Sequence, residues 1–445
     1  MTFHDLNLNK PLLSALDDLG FTTPTTIQEK VFSVVMSGRD VCGIAQTGTG
    51  KTLAYLLPCL RQYQFSKEKL PQLLILVPTR ELVVQVVESI QKLSNYLNLV
   101  VVGVYGGVNT KSQIADVQAG VDVLVATPGR LIDLTSVGVL KVKNVKRVVI
   151  DEVDEMLNLG FRPQLTRILD VLPPKRQNLL FSATLSEEVE GLLDAYFASP
   201  VRIEAAPVGT PLQNIDQIAY AVPNFHTKVN LLEALLNRDS GLSRVLVFTA
   251  TKQLADDLYE ELQPRLKEDD TIAVIHSNKS QNHRFESVRQ FQEGQCRVLI
   301  ATDIIARGLD IADVSHVVNF DMPEDPETYI HRIGRTGRAD KRGTAISFIT
   351  QRDQEYQTAI ESLMNYAILM TPLPKGLTIS DELMEHEQPK VTMKNIVVKS
   401  SRPEDGGGAF HEKIDKNKKV NVRRDHEAEK RQKYGRPIRK TRPNN

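Results

Sequence analysis

The chain has 445 residues, 41 % of them hydrophobic, with 55 basic and 55 acidic side chains and a formal net charge of zero. This length predicts two or three domains rather than a single core. Its hydrophobic runs are only five or six residues long, whereas a membrane span needs roughly 18. The charged N-terminal segment lacks the apolar stretch of a signal peptide, and three widely spaced cysteines form no zinc pattern. The sequence therefore favours a reduced, cytoplasmic protein that makes no use of a membrane.

Short runs of β-branched and aliphatic residues alternate with longer amphipathic segments, such as the helix predicted over residues 81–97. This alternation predicts an α/β fold with parallel sheets covered by helices on both faces. Two successive series of strands indicate two tandem α/β domains. The predicted strands are 41–45, 73–78, 121–127, 147–150 and 178–182 in the first series and 244–249, 271–275, 297–302, 316–320 and 344–349 in the second.

The periodicity is interrupted by proline, glycine and alanine near residues 204–214, and the alternation ends near residue 370. We place the first domain at 1–207, a linker at 208–215, the second domain at 216–370 and a flexible tail at 371–445. Residues 401–445 contain 14 Lys and Arg against 7 Asp and Glu. A basic flexible tail predicts an anionic partner, and the alternative is a solvated tail that only aids solubility.

The first predicted strand is followed by the sequence QTGTGKT. Gly48 and Gly50 allow a tight loop whose backbone N–H groups point inward, and the next helix presents its positive end to that loop. Lys51 is suited to the β- and γ-phosphates of a nucleotide, and the Thr52 hydroxyl is suited to Mg²⁺. Ala45 stands where the general phosphate-loop pattern has its first glycine. The loop predicts nucleotide binding, with a chance glycine-rich turn as the alternative.

A cluster of acids follows the predicted strand 147–150, where the sequence reads VVIDEVDEML. Taken alone, such a run is typical of a strand that reaches the surface and opens a solvated helix. Ligands of parallel α/β sheets, however, gather at the carboxyl edge of the sheet, and Mg²⁺ prefers carboxylate oxygens, water and substrate phosphates. Asp151 is therefore predicted to hold the metal ion, and Glu152 to orient the attacking water.

These two segments together resemble the DEAD-box RNA helicases, most closely the bacterial RhlE-like type. The resemblance covers about residues 1–370 and implies two tandem RecA-like domains. Val153 replaces the alanine of the family name but carries no ligand atom, and Ser277 replaces a glycine found in many relatives. Further segments that resemble family motifs are GFTTPTTIQ (20–28), PTREL (78–82), the glycine pair 106–107, TPGR (127–130), SAT (182–184), VFTAT (247–251), TDIIARGLD (302–310) and HRIGRTGR (331–338).

The resemblance implies a role for each residue of these motifs. The catalytic residues are Lys51, Asp151, Glu152 and the arginine fingers Arg335 and Arg338. The residues that bind ATP are Phe21, Thr23, Gln28, Ala45, Gln46, Thr47, Gly48, Thr49, Gly50, Lys51, Thr52, Gly308 and Asp310, with Mg²⁺ at Thr52 and Asp151. The residues that bind RNA are Arg80, Gly107, Thr127, Arg130, Thr249 and Thr302, and those that couple the ATP and RNA sites are Ser182, Thr184 and His331.

The side-chain chemistry agrees with these roles. The Gln28 amide can donate and accept a hydrogen bond at once, as the adenine edge does. Phe3 and Phe21 can pack near the base, with ordinary core packing as the alternative. Threonine and arginine contacts with a sugar-phosphate backbone carry no sequence information, so RNA binding is expected to be independent of sequence and to favour RNA over DNA through its 2′-hydroxyls.

The resemblance implies an ATP-dependent RNA helicase that hydrolyses ATP to ADP and phosphate under RNA stimulation. It would locally unwind short RNA duplexes or remodel ribonucleoprotein. Because the phosphate loop and the arginine fingers lie in different predicted domains, the site is expected to be complete only when the domains close. The tail is expected to add nonspecific RNA affinity.

One alternative is a nucleotide-gated RNA clamp that recruits partners, which would keep the same motifs. A second is a DNA-translocating helicase, against which the segments 20–28, 127–130 and 307–310 argue. The chain is expected to be a monomer. Ribosomal or degradation-complex proteins are the partners that the resemblance suggests.

Overall fold

The computed structural model describes residues 1–45, 49–204, 214–238, 241–267, 270–303, 311, 314–337 and 342–388. The first domain is a parallel sheet in the strand order β3-β4-β2-β5-β6-β1-β7. Its strands are β1 Val41–Ile44, β2 Leu73–Leu76, β3 Val101–Val104, β4 Val123–Ala126, β5 Arg147–Ile150, β6 Gln177–Ser182 and β7 Val201–Glu204. Its helices are α1 Lys10–Asp18, α2 Thr26–Met36, α3 Lys51–Arg61, α4 Arg80–Leu93, α5 Thr110–Ala119, α6 Pro128–Ser136, α7 Val153–Asn158, α8 Arg162–Val171 and α9 Glu187–Tyr196, preceded by a 3₁₀ helix at Phe3–Asp5.

The second domain repeats this arrangement in the order β10-β11-β9-β12-β13-β8-β14, again with parallel strands. Counted from its own first strand, it has the same strand order as the first domain. Its strands are β8 Ile215–Ala221, β9 Val245–Thr249, β10 Ile272–Ile275, β11 Val298–Thr302, β12 His316–Asn319, β13 Gly343–Ile349 and β14 Leu369–Met370. Its helices are α10 Phe225–Arg238, α11 Lys252–Leu262, α12 Gln281–Gln292, α13 Pro326–Ile333 and α14 Gln354–Met364, with 3₁₀ helices at Gln263–Arg265 and Gln351–Asp353.

Strand β2 shows why the apolar runs form parallel sheets. Leu73 and Ile75 pack into the core cluster on one face, and Leu74 and Leu76 pack into the cluster on the other. Successive side chains of a strand point to opposite faces, so a strand covered by helices on both sides is apolar throughout. The predicted α/β fold with two tandem domains is confirmed.

The predicted strands agree with observed ones to within two residues at either end, and the helix predicted over 81–97 is α4. Four strands were not predicted, namely β3, β7, β8 and β14. Strands β7 and β8 each contain exposed residues among the buried ones and so lack the continuous apolar run used to predict the others. Residues 208–213 of the predicted linker lie outside the described residues, and Ile215, its last residue, opens β8.

Residues 371–388, which we call the strap, lie against the second domain rather than forming the start of a loose tail. Asn230 Nδ2 donates to the Thr378 carbonyl at 2.9 Å, and Phe225 N donates to Glu387 Oε1 at 2.7 Å. Three apolar side chains of the strap pack on the core of the domain, and these are Leu373, Leu377 and Met384. The predicted tail therefore begins too early, because widely spaced apolar residues in a segment without periodicity resemble a loop.

No helix in the described part of the chain is long and apolar enough to cross a membrane.

Candidate functional site

The carboxyl edge of the first sheet carries the predicted phosphate loop. β1 ends at Ile44 and α3 begins at Lys51, preceded by Gly50 with φ +87°, a left-handed conformation that favours glycine. The Lys51 side chain is buried, and its Nζ has no hydrogen-bond partner among the described residues. Burying an ammonium group without a partner is unfavourable. This edge of the sheet is therefore suited to an anionic ligand.

Gln28 connects the N-terminal segment to this loop. Its Nε2 donates to the Gly50 carbonyl at 3.1 Å, and its Oε1 accepts from Thr25 N at 2.9 Å. Thr25 Oγ1 in turn donates to the Thr49 carbonyl at 2.9 Å, and a Cβ at Gly50 would collide with the Gln28 amide. The amide thus fixes the end of the phosphate loop, and its contact with adenine stays a prediction.

The two aromatic residues predicted to lie near the base are in different environments. Phe3 is 2 % exposed and packs in the core of the first domain. For this residue the alternative prediction, ordinary core packing, is confirmed. Phe21 is 43 % exposed and Thr23 is also exposed. Since the Phe21 ring is largely free of the core, it remains a candidate for contact with a base.

Asp151 and Glu152 follow β5 at the same edge. Burial raises the pKa of Asp151 above its ordinary value, although the charge of Lys51 opposes the change. Burial also raises the pKa of Glu152 to about 8, against the opposing charges of Lys51 and Arg335. Glu152 has φ +51° and ψ 50°, which costs a non-glycine residue about 1–3 kcal/mol. A buried and a partly buried acid beside a buried lysine are suited to a cation and a polarised water.

Asp154 is a functional residue to which the sequence reasoning gave no role. Its Oδ2 accepts hydrogen bonds from Ala183 N at 2.8 Å and Thr184 N at 3.1 Å. Although burial opposes it, the charges of His331 and Lys51 and the hydrogen bonds from the backbone of Ala183 and Glu155 lower the pKa of Asp154. An ionised Asp154 therefore holds the predicted coupling segment against α7. The available signal was its place in the acidic cluster that follows β5, three residues after Asp151.

A small cavity brings residues of both domains together at this edge. Arg335, which follows α13, is 4 % exposed in this cavity. The structure thus places one predicted arginine finger beside the predicted catalytic residues of the first domain, and the domains are in contact here. The cavity is lined by Lys51, Glu152, Asp154, Glu155 and Ala183 from the first domain and by His331 and Arg335 from the second.

The predicted RNA-binding residues lie close to the carboxyl ends of strands in both sheets. Gly107 lies in the loop between β3 and α5. The Arg80 guanidinium lies against Gly107, whose φ of +79° and lack of space for a Cβ require glycine. Thr127 follows β4, and Thr249 and Thr302 end β9 and β11. All three threonines are buried. Their contact with RNA stays a prediction.

Arg130 has protein partners in this structure. It is 7 % exposed, and its Nη1 donates to Thr110 Oγ1 at 3.0 Å and to Gln113 Oε1 at 3.2 Å. Its Nη2 donates to the Val108 carbonyl at 3.4 Å. Arg130 therefore fixes the segment that follows Gly107. A direct contact between Arg130 and RNA stays a prediction.

An ion pair between the domains lies next to Arg80. Arg284 Nη1 of α12 is 2.9 Å from Glu81 Oε1 of α4, and the two side chains are 7 % and 3 % exposed. Sequence reasoning missed this pair, because each residue lies on an ordinary amphipathic helix and the two are far apart in the chain. The pair joins the domains beside the predicted RNA-binding surface.

Several predicted site residues lie outside the described residues. These are Gln46, Thr47, Gly48, Gly308, Asp310 and Arg338.

The residues present fit a magnesium-bound nucleotide. Two features support this fit, namely the Lys51 ammonium, which has no hydrogen-bond partner in the part of the chain that the structure describes, and the raised pKa values of Asp151 and Glu152. In the described part of the chain, no three His, Cys, Asp or Glu side chains are grouped to hold a metal ion. Mg²⁺ commonly binds one or two carboxylates together with substrate phosphates, and the assignment of Asp151 and Thr52 to this ion stays a prediction.

Two protein-family models match the chain. The DEAD/DEAH box helicase model matches residues 25–192, and the helicase conserved C-terminal domain model matches residues 227–340. The structure is similar to that of Saccharomyces cerevisiae Dbp5 bound to RNA and ADP BeF3, with a TM-score of 0.75, 31 % identity and coverage of 84 % of this chain and 95 % of the other.

Two curated relatives have similar sequences. The DEAD-box ATP-dependent RNA helicase CshA of Bacillus subtilis is 39 % identical over 361 residues, which are 81 % of this chain and 72 % of the relative. The DEAD-box ATP-dependent RNA helicase 24 of Oryza sativa subsp. japonica is 38 % identical over 414 residues, which are 92 % of this chain and 51 % of the relative. This chain thus spans about half the length of the rice protein. The narrower resemblance to RhlE-like helicases stays a prediction. The chain belongs to the DEAD-box family of ATP-dependent RNA helicases.

Proposed function

We propose that this chain hydrolyses ATP to ADP and phosphate under RNA stimulation, and that it uses the cycle to open short RNA duplexes or remodel ribonucleoprotein. The observation that carries the proposal is the cavity in which Lys51 and Glu152 of the first domain meet Arg335 of the second. Because each domain supplies only part of this charge set, hydrolysis depends on contact between the domains. An RNA that bridges both domains would favour that contact.

Each residue of the cavity then has a distinct task. Lys51 neutralises the β- and γ-phosphates, Glu152 orients the attacking water, and Arg335 stabilises charge that develops in the transition state. Asp151 and Thr52 would hold Mg²⁺, which supplies charge neutralisation at the phosphates.

Asp154 is proposed to carry the coupling between hydrolysis and RNA. It is buried and accepts hydrogen bonds from the backbone of Ala183 and Thr184, and His331 of the second domain lines the same cavity. A change in the contact between the domains at His331 would therefore alter the position of the Asp154 carboxylate, and with it the segment 182–184.

The proposed RNA contacts are independent of base sequence, because arginine and threonine at strand ends suit phosphates and sugars rather than base edges. We place the protein in the cytoplasm as a monomer. Ribosomal or degradation-complex proteins are its proposed partners, and the basic composition of residues 401–445 supports an anionic one.

The test is ATP hydrolysis by the full chain with no polymer, with single-stranded RNA and with single-stranded DNA, beside a Glu152→Gln variant. We expect strong stimulation by RNA alone and a loss of roughly 100-fold or more in the variant. Hydrolysis that is indifferent to RNA would overturn the coupling between the domains and RNA. Stimulation by DNA alone would leave the nucleotide assignment intact and overturn the choice of polymer.

A second measurement separates a helicase from a clamp. A short RNA duplex is mixed with the protein and ATP, and strand separation and phosphate release are followed together. We expect strand separation at a rate comparable with hydrolysis. Slow phosphate release with long-lived RNA binding and no separation would instead support a nucleotide-gated clamp.

A further inference from the structure

Tyr55 lies on the helix that carries the phosphate-binding residues. Lys51, Thr52 and Tyr55 are all in α3. Residues three and four apart lie on one face of a helix, so the Tyr55 side chain follows Lys51 and Thr52 on the face turned to the site. The sequence reasoning gave it no role.

The Tyr55 hydroxyl is buried without a well-formed hydrogen bond to any residue that the structure describes. The whole residue is 0 % exposed. Its hydroxyl lies beside the carboxylate of Asp151 and the hydroxyl of Thr52, the two groups assigned to the metal. A buried polar group of this kind needs an explanation, since a phenylalanine would fill the same space without a polar atom.

The ring of Tyr55 is held in place from the other side. It packs on Phe181 with ring centroids 5.3 Å apart. Phe181 in turn covers Gly43 of β1, where a Cβ would meet the Phe181 ring. The rings meet at an angle of 49°, and removal of the hydroxyl alone leaves this ring contact intact.

We propose that Tyr55 is a positioning residue for the magnesium–nucleotide site, in which its hydroxyl donates a hydrogen bond to Asp151 and orients that carboxylate for the metal. Partners of metal-binding side chains commonly fix their orientation in this way. The proposal rests on the proposed function, because it takes Asp151 as the metal-binding carboxylate.

The test is binding of a fluorescent ATP analogue to the full chain, titrated with Mg²⁺, for the unaltered protein and for Tyr55→Phe. We expect the Mg²⁺ concentration at half-maximal binding to rise about 10-fold in the variant. Binding at saturating Mg²⁺ and the unfolding temperature without nucleotide should stay unchanged, because the ring still packs on Phe181.

A matched control is Tyr63→Phe. Tyr63 also has a buried hydroxyl without a partner among the described residues, but it lies beyond the end of α3 and beside Asp122, which precedes β4 at the opposite edge of the sheet. This variant should leave the Mg²⁺ titration unchanged. A Tyr55→Phe titration identical to that of the unaltered protein would overturn the proposal, as would a loss of affinity equal at every Mg²⁺ concentration.

Asp151→Asn distinguishes a failure of the role proposed for Tyr55 from a failure of the metal assignment. If it abolishes the Mg²⁺ dependence while Tyr55→Phe has no effect, the role of Tyr55 is wrong and the metal assignment stands. If Asp151→Asn leaves the Mg²⁺ dependence unchanged, the metal assignment in the proposed function is wrong.

Discussion

The two domains have the same strand order, but they differ in how the buried charges at the carboxyl edges of their sheets are paired. In the first domain, Lys51 is buried with no hydrogen-bond partner among the described residues. In the second, Lys228 Nζ lies 2.8 Å from Asp321 Oδ1, and Arg332 binds both carboxylate oxygens of Asp303 at 2.6 and 2.8 Å. Lys51 at the first edge is therefore available to a ligand. At the second edge, Lys228 and Arg332 are already paired with carboxylates of the same domain.

This difference shows that topology supplies the place for a site and the residues decide its use. Burial raises the pKa of Asp151 and Glu152 even beside Lys51, so a further cation at this edge would favour their ionised forms. The charged side chains of the second edge instead join its strands and helices. A buried charge that is paired only when a ligand binds lowers the free energy of unfolding of the free protein. When two buried charges are paired with each other, removal of either one destabilises the fold.

The largest expected effect comes from replacing Lys51 by Met. Affinity for ATP should fall at least about 100-fold, because a buried charge that binds the phosphates is removed. The free energy of unfolding should change little, since Lys51 Nζ has no hydrogen-bond partner among the described residues, although its charge favours the ionised forms of the neighbouring acids. Nucleotide titration and thermal unfolding of the same variant test both expectations, and a large loss of stability would contradict the expectation that Lys51 contributes little to the stability of the fold.

Lys228→Met is the matched variant in the second domain. Its removal leaves the partly buried Asp321 without its cation and should lower the free energy of unfolding by about 3 kcal/mol. ATP affinity should not change. If Lys228→Met instead weakened ATP binding as strongly as Lys51→Met, the second edge would belong to the nucleotide site and the contrast between the edges would fail.

The Glu81–Arg284 pair tests whether the first site depends on contact with the second domain. Reversing either charge places two like charges in a buried position, so RNA-stimulated hydrolysis should fall roughly 10-fold or more. Reversing both, as Glu81→Arg with Arg284→Glu, should restore much of the rate. The control is the exposed Arg202–Glu190 pair of the first domain, 48 % and 35 % exposed, where reversal should have almost no effect. A double reversal no better than the single ones would indicate that the pair does not act as a contact.

The strands with continuous apolar runs and the helix that begins at Lys51 could be predicted because their signals are local, such as an apolar run or a glycine-rich turn before an apolar helix. The pairing of Glu81 with Arg284 could not, since it joins helices of different domains. Arg130 shows a second limit. Its place in a family motif suggests RNA, but its neighbours Thr110 and Gln113 become visible only when the chain is folded.

The strap sets the end of the second domain, which the sequence placed at residue 370. Ending the chain at Gln388 should leave the unfolding temperature unchanged. Ending it at Met370 removes Leu373, Leu377 and Met384 from the core and should lower the free energy of unfolding by about 2 kcal/mol or more. Equal unfolding temperatures for the two truncated chains would show that the strap does not stabilise the domain.

The smallest effect is expected from the basic residues beyond the strap. The chain that ends at Gln388 retains both sheet edges and the ion pairs between and within the domains, but lacks the excess of Lys and Arg in residues 401–445. Its affinity for single-stranded RNA should fall about three- to tenfold at about 50 mM salt and much less at about 200 mM, because nonspecific phosphate contacts weaken as salt rises. Fluorescence anisotropy with one labelled RNA at both salt concentrations measures this. Equal affinities at low salt would leave the tail with a role in solubility only, and a loss that persists at high salt would point to a specific contact in place of a diffuse electrostatic one.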